Sequence, residues 1–249
     1  MSVSRGELRV GTSGYRYDHW RRVFYPPELP KAEWFAFYAR RFDTVEINNT
    51  FYRLPEAHVF EAWRAAAPPN FLYALKFSRY GTHLKRLRDP VQPIALFLER
   101  ARRLGPALGP ILVQLPPHWH ADAARLEAFL EALPRTQRWA IEFRDSSWLC
   151  EPIFALLAKY GVALCVHDML PRHPRRVTAD FVYLRFHGRR YGGSYTPQQL
   201  VAHARRVRAF LDDGIDVYAY FNNDAEGHAV RNALDLRRYV GGAARRAVA

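Results

Sequence analysis

The stretch WAIEF at residues 139–143 shows the feature that decides the fold, a short apolar run that ends on polar or charged residues. Eight such runs occur along the chain, and a stretch long enough for a helix separates most of them. Parallel strands that are buried on both faces have this near-continuous apolar character, and strand–helix alternation indicates a parallel sheet. The runs predict strands at 8–13, 44–48, 72–77, 111–115, 139–143, 163–168, 182–187 and 216–222.

Eight strand–helix units in 249 residues predict a single-domain α/β fold, the (β/α)8 TIM barrel, for which about 250 residues is typical. We expect its core to span about residues 7–240 and residues 241–249 to form a frayed tail. Apolar spacing and breaker residues predict helices at 31–41, 57–67, 93–104, 121–133, 151–160, 198–211 and 225–239. Gly161 is the expected cap of the helix at 151–160. Two prolines make 168–180 too short and broken for a good sixth helix.

The chain is strongly basic, with 37 Lys and Arg against 24 Asp and Glu and a net charge of +13. Such a field attracts phosphate-bearing partners. Many of the arginines, however, lie on predicted outer helices, where a solvated face or a biased genome composition also explains them. The chain has two cysteines, and their spacing is not that of a metal site, so we expect free thiols. No apolar run approaches about 18 residues and the N-terminus lacks an apolar signal core, so we expect a cytoplasmic protein with no membrane partner.

Polar and charged residues lie at or just after the ends of seven of the eight predicted strands. In a barrel of this kind the carboxyl ends of the strands build the active site. Core filling does not explain this many charged groups at one end, so the strand ends are the predicted site. The residues are Glu46, Asn48, Lys76, Gln114, Glu142, Arg144, His167, Asp168, Arg185, His187, Asn222 and Asn223.

Aromatic and basic residues occupy the loops that follow the strands. Aromatic platforms among arginines hold unstacked bases or sugar rings, whereas any single one of them can also pack a loop onto the barrel. We expect the loops at 80–88 and 189–195 to be mobile and to contact phosphate. The aromatic residues are Tyr15, Tyr17, Trp20, Phe51, Tyr52, Tyr80, Trp119, Trp148, Tyr191 and Tyr195, and the basic ones are Arg53, Arg79, Lys85, Arg86, Arg88, Arg189 and Arg190.

The motifs together resemble one known family. They are GTSGY (11–15), W20, FYP (24–26), VEINNTFYR (45–53), KF (76–77), QLPP (114–117), EFRDSSW (142–148), RFHGR (185–189) and FNN (221–223). This set resembles the YecE-like family, domain of unknown function 72, from about residue 7 to residue 240. The resemblance implies a TIM-barrel fold and a pocket at the strand carboxyl ends. It implies no reaction, because the family has none assigned.

The residues predict a phosphorylated or nucleic-acid-like ligand at the barrel mouth, and a possible hydrolase or nuclease. In that hypothesis Glu142 is the general base, His187 the general acid, Lys76 and Arg185 clamp negative charge, and Glu46 is an orienter or second acid. The predicted ligand-binding residues are Arg144, Arg185, Asn48, Gln114, Tyr15, Trp20, Tyr52, Trp148, Asp168 and Asn222.

Three other interpretations stay open. The chain could be a nucleic-acid-binding module without chemistry, or a carbohydrate-active enzyme that uses Glu46 and Glu142 as paired carboxylates. The strand-end charges could also form a satisfied ion-pair cluster. No cofactor is expected, because three cations at the mouth would repel a metal ion. The less favoured alternative is a divalent metal on Glu46, Glu142, His167, Asp168 and His187.

Overall fold

The computed structural model describes residues 4–171, 173–188 and 193–242 and contains all eight predicted strands. They are β1 (Leu8–Thr12), β2 (Thr44–Ile47), β3 (Leu72–Lys76), β4 (Leu108–Gln114), β5 (Trp139–Glu142), β6 (Ala163–His167), β7 (Phe181–Phe186) and β8 (Asp216–Phe221). Each strand ends one residue before its predicted end. The strand β4 begins three residues earlier than predicted, because Pro110 reads as a breaker in the sequence but is tolerated near the start of a strand.

The helices lie between the strands or after the last one. They are α1 (Trp34–Ala39), α2 (Asn49–Tyr52), α3 (Ala57–Ala66), α4 (Val91–Ala101), α5 (Ala123–Glu131), α6 (Glu151–Tyr160), α7 (Pro197–Asp212) and α8 (His228–Val240). Both α2 and α3 lie between β2 and β3. The prediction for α6 is confirmed in full, and Gly161 closes that helix at φ 66°. Between β6 and β7, the described residues 168–171 and 173–180 contain no helix, as predicted.

The other predicted helices differ from the observed ones near their ends. The first begins as a 3₁₀ turn at Lys31–Glu33, and the last begins as a 3₁₀ turn at Ala225–Gly227. A 3₁₀ stretch with a break at Gly105 follows α4. The sequence pattern did not predict α2 or the π-helical turn at Tyr80–Leu84. None of the helices in the described ranges has the length and apolar character to cross a bilayer.

The strand order is β1-β8-β7-β6-β5-β4-β3-β2, which follows the chain order as a (β/α)8 barrel requires. The fold class predicted from the sequence is confirmed. The first and last strands are neighbours and run parallel, with Thr12 opposite Phe221. By its contacts the chain divides into two compact units, Met1–Val45 with Leu184–Ala249, and Glu46–Tyr183, so that the boundaries fall within β2 and β7. The single-domain assignment stays a prediction.

In the second unit, β3, β4, β5 and β6 pair in parallel. Lys76 lies opposite Leu112, and Gln114 lies opposite Glu142, so the carboxyl ends of these strands meet at one edge. All four residues of β5 are buried, which explains the continuous apolar run. Yet Lys76 and Glu142 are also buried. A buried charge is unfavourable unless it is paired and hydrogen-bonded, so the surroundings of these groups define the site.

Candidate functional site

An ion pair lies at the carboxyl end of β5. Arg144 Nε donates to Glu142 Oε1, and Glu142 is fully buried. Arg144 Nη2 also donates to Gln114 Oε1 at 3.3 Å, and Arg144 Nη1 contacts Met169 Sδ. The thiol of Cys165 on β6 lies 3.7 Å from Glu142 Oε2. The guanidinium is therefore held in one place by groups from β4, β5 and the segment after β6.

A second buried carboxylate lies at the end of β2. Glu46 is fully buried, and the hydroxyl of Tyr183 donates to Glu46 Oε2 at 2.7 Å. A hydrogen bond from a hydroxyl to a carboxylate is among the stronger ones in proteins. This contact partly compensates the carboxylate for its lost hydration.

Three cations act on one histidine in the loop after β3. Burial, followed by the positive charges of Lys76, Arg79 and Arg144 in that order, lowers the pKa of His83 to about 4. His83 is therefore uncharged at neutral pH. We call Lys76, Arg79 and Arg144, grouped around His83, the cationic cluster.

Aromatic contacts hold Lys76 and His83 in this cluster. Lys76 Nζ lies 4.0 Å from the ring centroid of Phe51, and the Phe51 and His83 rings meet edge to face at 5.0 Å. Phe51 belongs to α2, whose Thr50 hydroxyl donates to the Lys76 carbonyl at 2.7 Å. The short helix α2 thus positions the residues of the neighbouring strand end.

Two further histidines lie beside Glu142. His167 Nε2 donates to the carbonyl of Phe143 at 2.7 Å, and its Nδ1 accepts from the Met169 N–H at 3.2 Å. The rings of His167 and His173 lie 4.6 Å apart. Burial, followed by His167, lowers the pKa of His173 to about 4. Both nitrogens of His167 are occupied by backbone groups, so its ring is fixed in the Nε2–H tautomer.

The first unit holds the predicted residues of β7 and β8. Arg185 and His187 are buried, and Asn222 Nδ2 lies 3.1 Å from His187 Nδ1. Asn223 Nδ2 donates to the carbonyl of Gly193 and to Asn232 Oδ1, both at 3.0 Å. These contacts tie the ends of β7 and β8 to the residues that precede α7 and to α8.

The comparisons with known proteins identify the family. A family model described as "Protein of unknown function DUF72" matches residues 9–248. The chain belongs to the DUF72 family. The UPF0759 protein YecE of Escherichia coli is 30% identical over 151 residues, and the match covers 58% of this chain and 56% of that protein. The chain thus matches just over half the length of that relative.

Longer matches support the same assignment. The UPF0759 protein YunF of Bacillus subtilis is 23% identical over 273 residues, covering 92% of this chain and 93% of that protein. The crystal structure of a DUF72 family protein from Thermotoga maritima superimposes with a TM-score of 0.85 at 28% identity, covering 94% of this chain and 99% of that one. The resemblance read from the motifs is confirmed.

Several predicted ligand-binding residues of this DUF72 protein are packed into its interior. Trp20 is fully buried and donates from Nε1 to the Asp224 carbonyl at 2.8 Å. Trp148 is fully buried and stacks on Phe143 with ring centroids 5.0 Å apart. The Tyr15 ring packs against Phe35 and Tyr38. Packing explains these aromatics, and their role as ligand contacts stays a prediction.

Other predicted ligand-binding residues of this DUF72 protein are more exposed. Tyr52 is 75% exposed, and Asp168 is exposed. Asn48 Oδ1 is buried and has no hydrogen-bond partner among the described residues. The prediction of a phosphate-contacting loop at 189–195 falls mostly on residues 189–192, which lie outside the described residues. In the ranges that the structure describes, no group of three His, Cys, Asp or Glu side chains could hold a metal ion.

Sequence reasoning did not single out His83 and His173, which lie beside the candidate site. Both lie in loops, where no strand or helix period marks a residue as facing its neighbours. A signal for His83 existed, because it lies within the basic aromatic stretch YGTHLKRLR at 80–88. For His173 the flanking prolines indicated only a broken segment.

Proposed function

We propose that this protein binds a small phosphorylated ligand in the cationic cluster at the carboxyl ends of β3 and β5. One observation carries the proposal. Burial and three charges lower the pKa of His83 to about 4, and among the described residues each of these charges is positive. A concentrated positive potential in a partly buried place favours an anion.

The cations of the cluster are suited to phosphate. Arg144 is anchored by Glu142 and Gln114, and its side chain is 13% exposed, so little side-chain entropy remains to be lost on binding. Lys76 supplies a compact charge and is 6% exposed, while Arg79 is exposed. Phosphate is commonly bound by such a combination of an arginine fork and a lysine point charge.

Reaction chemistry at this site stays a prediction. Glu142 remains the candidate base of the hydrolase hypothesis because its carboxylate adjoins the cluster, and His187 remains its candidate acid. The nucleic-acid-binding module and the carbohydrate-active enzyme also stay predictions. Phosphate binding is the step that the described contacts support, and it can be measured without a known reaction.

Isothermal titration calorimetry at low salt tests the proposal with inorganic phosphate, ribose 5-phosphate and ribose. We expect the two phosphates to bind and ribose to show no binding. Arg79→Ala should weaken phosphate binding about tenfold, since removing one charge-assisted contact costs on the order of 1.4 kcal/mol. Lys76→Met, which keeps the length of the side chain, should have a larger effect.

Arg103→Ala is the matched control, because Arg103 is exposed and precedes β4 at the opposite strand ends. Arg79 and Arg103 are both exposed, so neither variant should disturb folding. Failure of the wild-type protein to bind either phosphate would overturn the proposal. Equal phosphate affinity of the Arg79→Ala and Arg103→Ala proteins would place the anion elsewhere and also overturn it.

A further inference from the structure

A cleft of about 280 Å³ opens beside the cationic cluster, between α2, the loop after β3 and α4. Its lining includes Phe51, Tyr52, Ser78, Tyr80 and Gln92. The cleft is just below the roughly 300 Å³ at which pockets for drug-sized ligands begin, so it suits one ring system better than a larger molecule. We call it the aromatic cleft.

Two tyrosines at the aromatic cleft are exposed to an unusual degree. Tyr52 is 75% exposed and Tyr80 is 52% exposed, although large aromatic side chains are mostly buried in folded proteins. Lys85 Nζ lies 5.8 Å from the Tyr80 ring centroid and 3.0 Å from Asp89 Oδ2. Exposed aromatic faces beside cations are the usual platform for the bases of nucleotides.

The backbone that carries Tyr80 is held in uncommon conformations. Tyr80–Leu84 is a π-helical turn, and Arg86, Leu87 and Asp89 have positive φ angles of 47°, 63° and 43°. Leu87 is buried, which fixes the loop despite its strained backbone. Both features concentrate at functional sites. They support the placement of a ligand here.

Phe51 connects the aromatic cleft to the cationic cluster. Its ring lines the cleft, contacts Tyr52 at a centroid distance of 5.0 Å, and lies under Lys76 Nζ. Phe51 therefore contacts both Lys76 and Tyr52, so the cationic cluster and the aromatic cleft share one side chain. A single ligand that has both a planar ring and a phosphate would match both surfaces.

We propose that the aromatic cleft binds the base of a nucleoside monophosphate whose phosphate lies in the cationic cluster. This inference rests on the proposed function and names its ligand class. Apart from the tyrosine hydroxyls, the polar side chains of the cleft are Ser78 and Gln92. A base needs only a few hydrogen bonds at its edge, whereas a sugar ring has a hydroxyl on most carbons, each of which requires a partner when buried.

The test compares adenosine 5′-monophosphate and uridine 5′-monophosphate with ribose 5-phosphate by calorimetry. We expect at least one nucleotide to bind about tenfold or more tightly than ribose 5-phosphate, since stacking on aromatic side chains has this magnitude. Tyr52→Ala and Tyr80→Ala should each reduce this preference and leave the affinity for ribose 5-phosphate unchanged. Titration with the nucleotide should shift the side-chain amide resonances of Gln92.

Tyr160→Ala is the control, because Tyr160 lines a separate cleft near the start of β5. Equal affinities of the wild-type protein for the nucleotides and ribose 5-phosphate would overturn the inference and leave the proposed function standing. A nucleotide preference that survives both tyrosine variants would overturn it as well. If none of the phosphates binds, the proposed function fails too.

Discussion

The ammonium group of Lys76 lies 4.0 Å from the ring centroid of Phe51, which joins the charged end of β3 to the aromatic side chains of α2 and the following loop. Lys76 is only 6% exposed, and a cation that is removed from water gains from the negative face of an aromatic ring. The same ring meets His83 edge to face. The Phe51 side chain thus contacts both Lys76 and His83 and also forms part of the wall of the aromatic cleft.

Replacing Phe51 with leucine tests this arrangement. Phe51→Leu should weaken phosphate binding several-fold, because the Lys76 ammonium loses the ring that holds it, and should destabilise the protein by about 1–2 kcal/mol. Calorimetry and denaturant unfolding measure the two effects. Phe154→Leu is the control, since Phe154 on α6 is buried beneath the Arg176 guanidinium. Similar phosphate affinities in the two variants would speak against a positioning role for Phe51.

The low pKa values of His83 and His173 predict a loss of stability in acid. Each is about 4 in the folded protein, against about 6.5 in an unfolded chain. Between pH 6.5 and pH 4 the unfolded chain therefore binds more protons, and stability falls as the pH falls through this window.

The variant His83→Gln should lose less stability than the wild type over this range. The expected difference is about 1–2 kcal/mol, reduced from the full linkage value because solvent screens the half-buried ring. Thermal unfolding at pH 7 and pH 4.5 measures the difference, with the exposed His58→Gln on α3 as the control. Parallel pH profiles of the wild-type and His83→Gln proteins would contradict the prediction.

Removing the charge of Glu142 should have opposite effects on stability and binding. Glu142→Gln leaves Arg144 without its counter-charge and should lower stability by about 1–3 kcal/mol. Phosphate affinity should rise several-fold, because a negative charge beside the cluster is removed. Glu99→Gln on α4, where Glu99 pairs with Arg100 at the surface, is the control. A fall in phosphate affinity would show that Glu142 supports the site in another way.

The same variant separates a catalytic from a structural role. A general base contributes about 10²–10⁴-fold to turnover, so hydrolysis of a phosphate ester should collapse in Glu142→Gln if the hydrolase hypothesis holds. Turnover that stays unchanged while the melting temperature falls would leave the ion pair with a structural role alone.

The hydrogen bond from Tyr183 to Glu46 should contribute more to the stability of the protein than a tyrosine hydrogen bond to a neutral acceptor. Tyr183→Phe removes a donor from a fully buried carboxylate and should cost about 1–3 kcal/mol of stability. Tyr73→Phe is the matched control, because the Tyr73 hydroxyl donates to a neutral acceptor, the Trp63 carbonyl, at 2.9 Å. Equal losses of stability in the two variants would mean that the hydrogen bond to Glu46 contributes no more than one to a neutral acceptor.

The strands could be predicted because their signal is local. A run such as Trp139–Glu142 is apolar throughout since both faces are buried, and its position requires no knowledge of its neighbours. The start of β4 was not predicted, because Pro110 indicates a break in regular structure, whereas a proline near the start of a strand is tolerated. The topology then placed Lys76, Gln114 and Glu142 at one edge of the sheet, as the registers confirm.

The finer structure of the site could not be read from the sequence, because it depends on contacts between distant segments. The low pKa of His83 arises from burial and from cations that include Arg144, which is far away in the chain. The sequence also did not distinguish Trp20, which is fully buried, from Tyr52, which is exposed, since both follow strand ends. Burial of a loop residue is decided by the loops packed around it.

The pKa of His83, followed by nuclear magnetic resonance with and without inorganic phosphate, tests the phosphate site most directly. We predict a pKa near 4 in the free protein, because burial and the cationic cluster both lower it, and a clearly higher pKa with phosphate bound, because the anion offsets the three positive charges. An unchanged pKa at phosphate concentrations that saturate binding in calorimetry would contradict the account, since it would place the anion away from Lys76, Arg79 and Arg144.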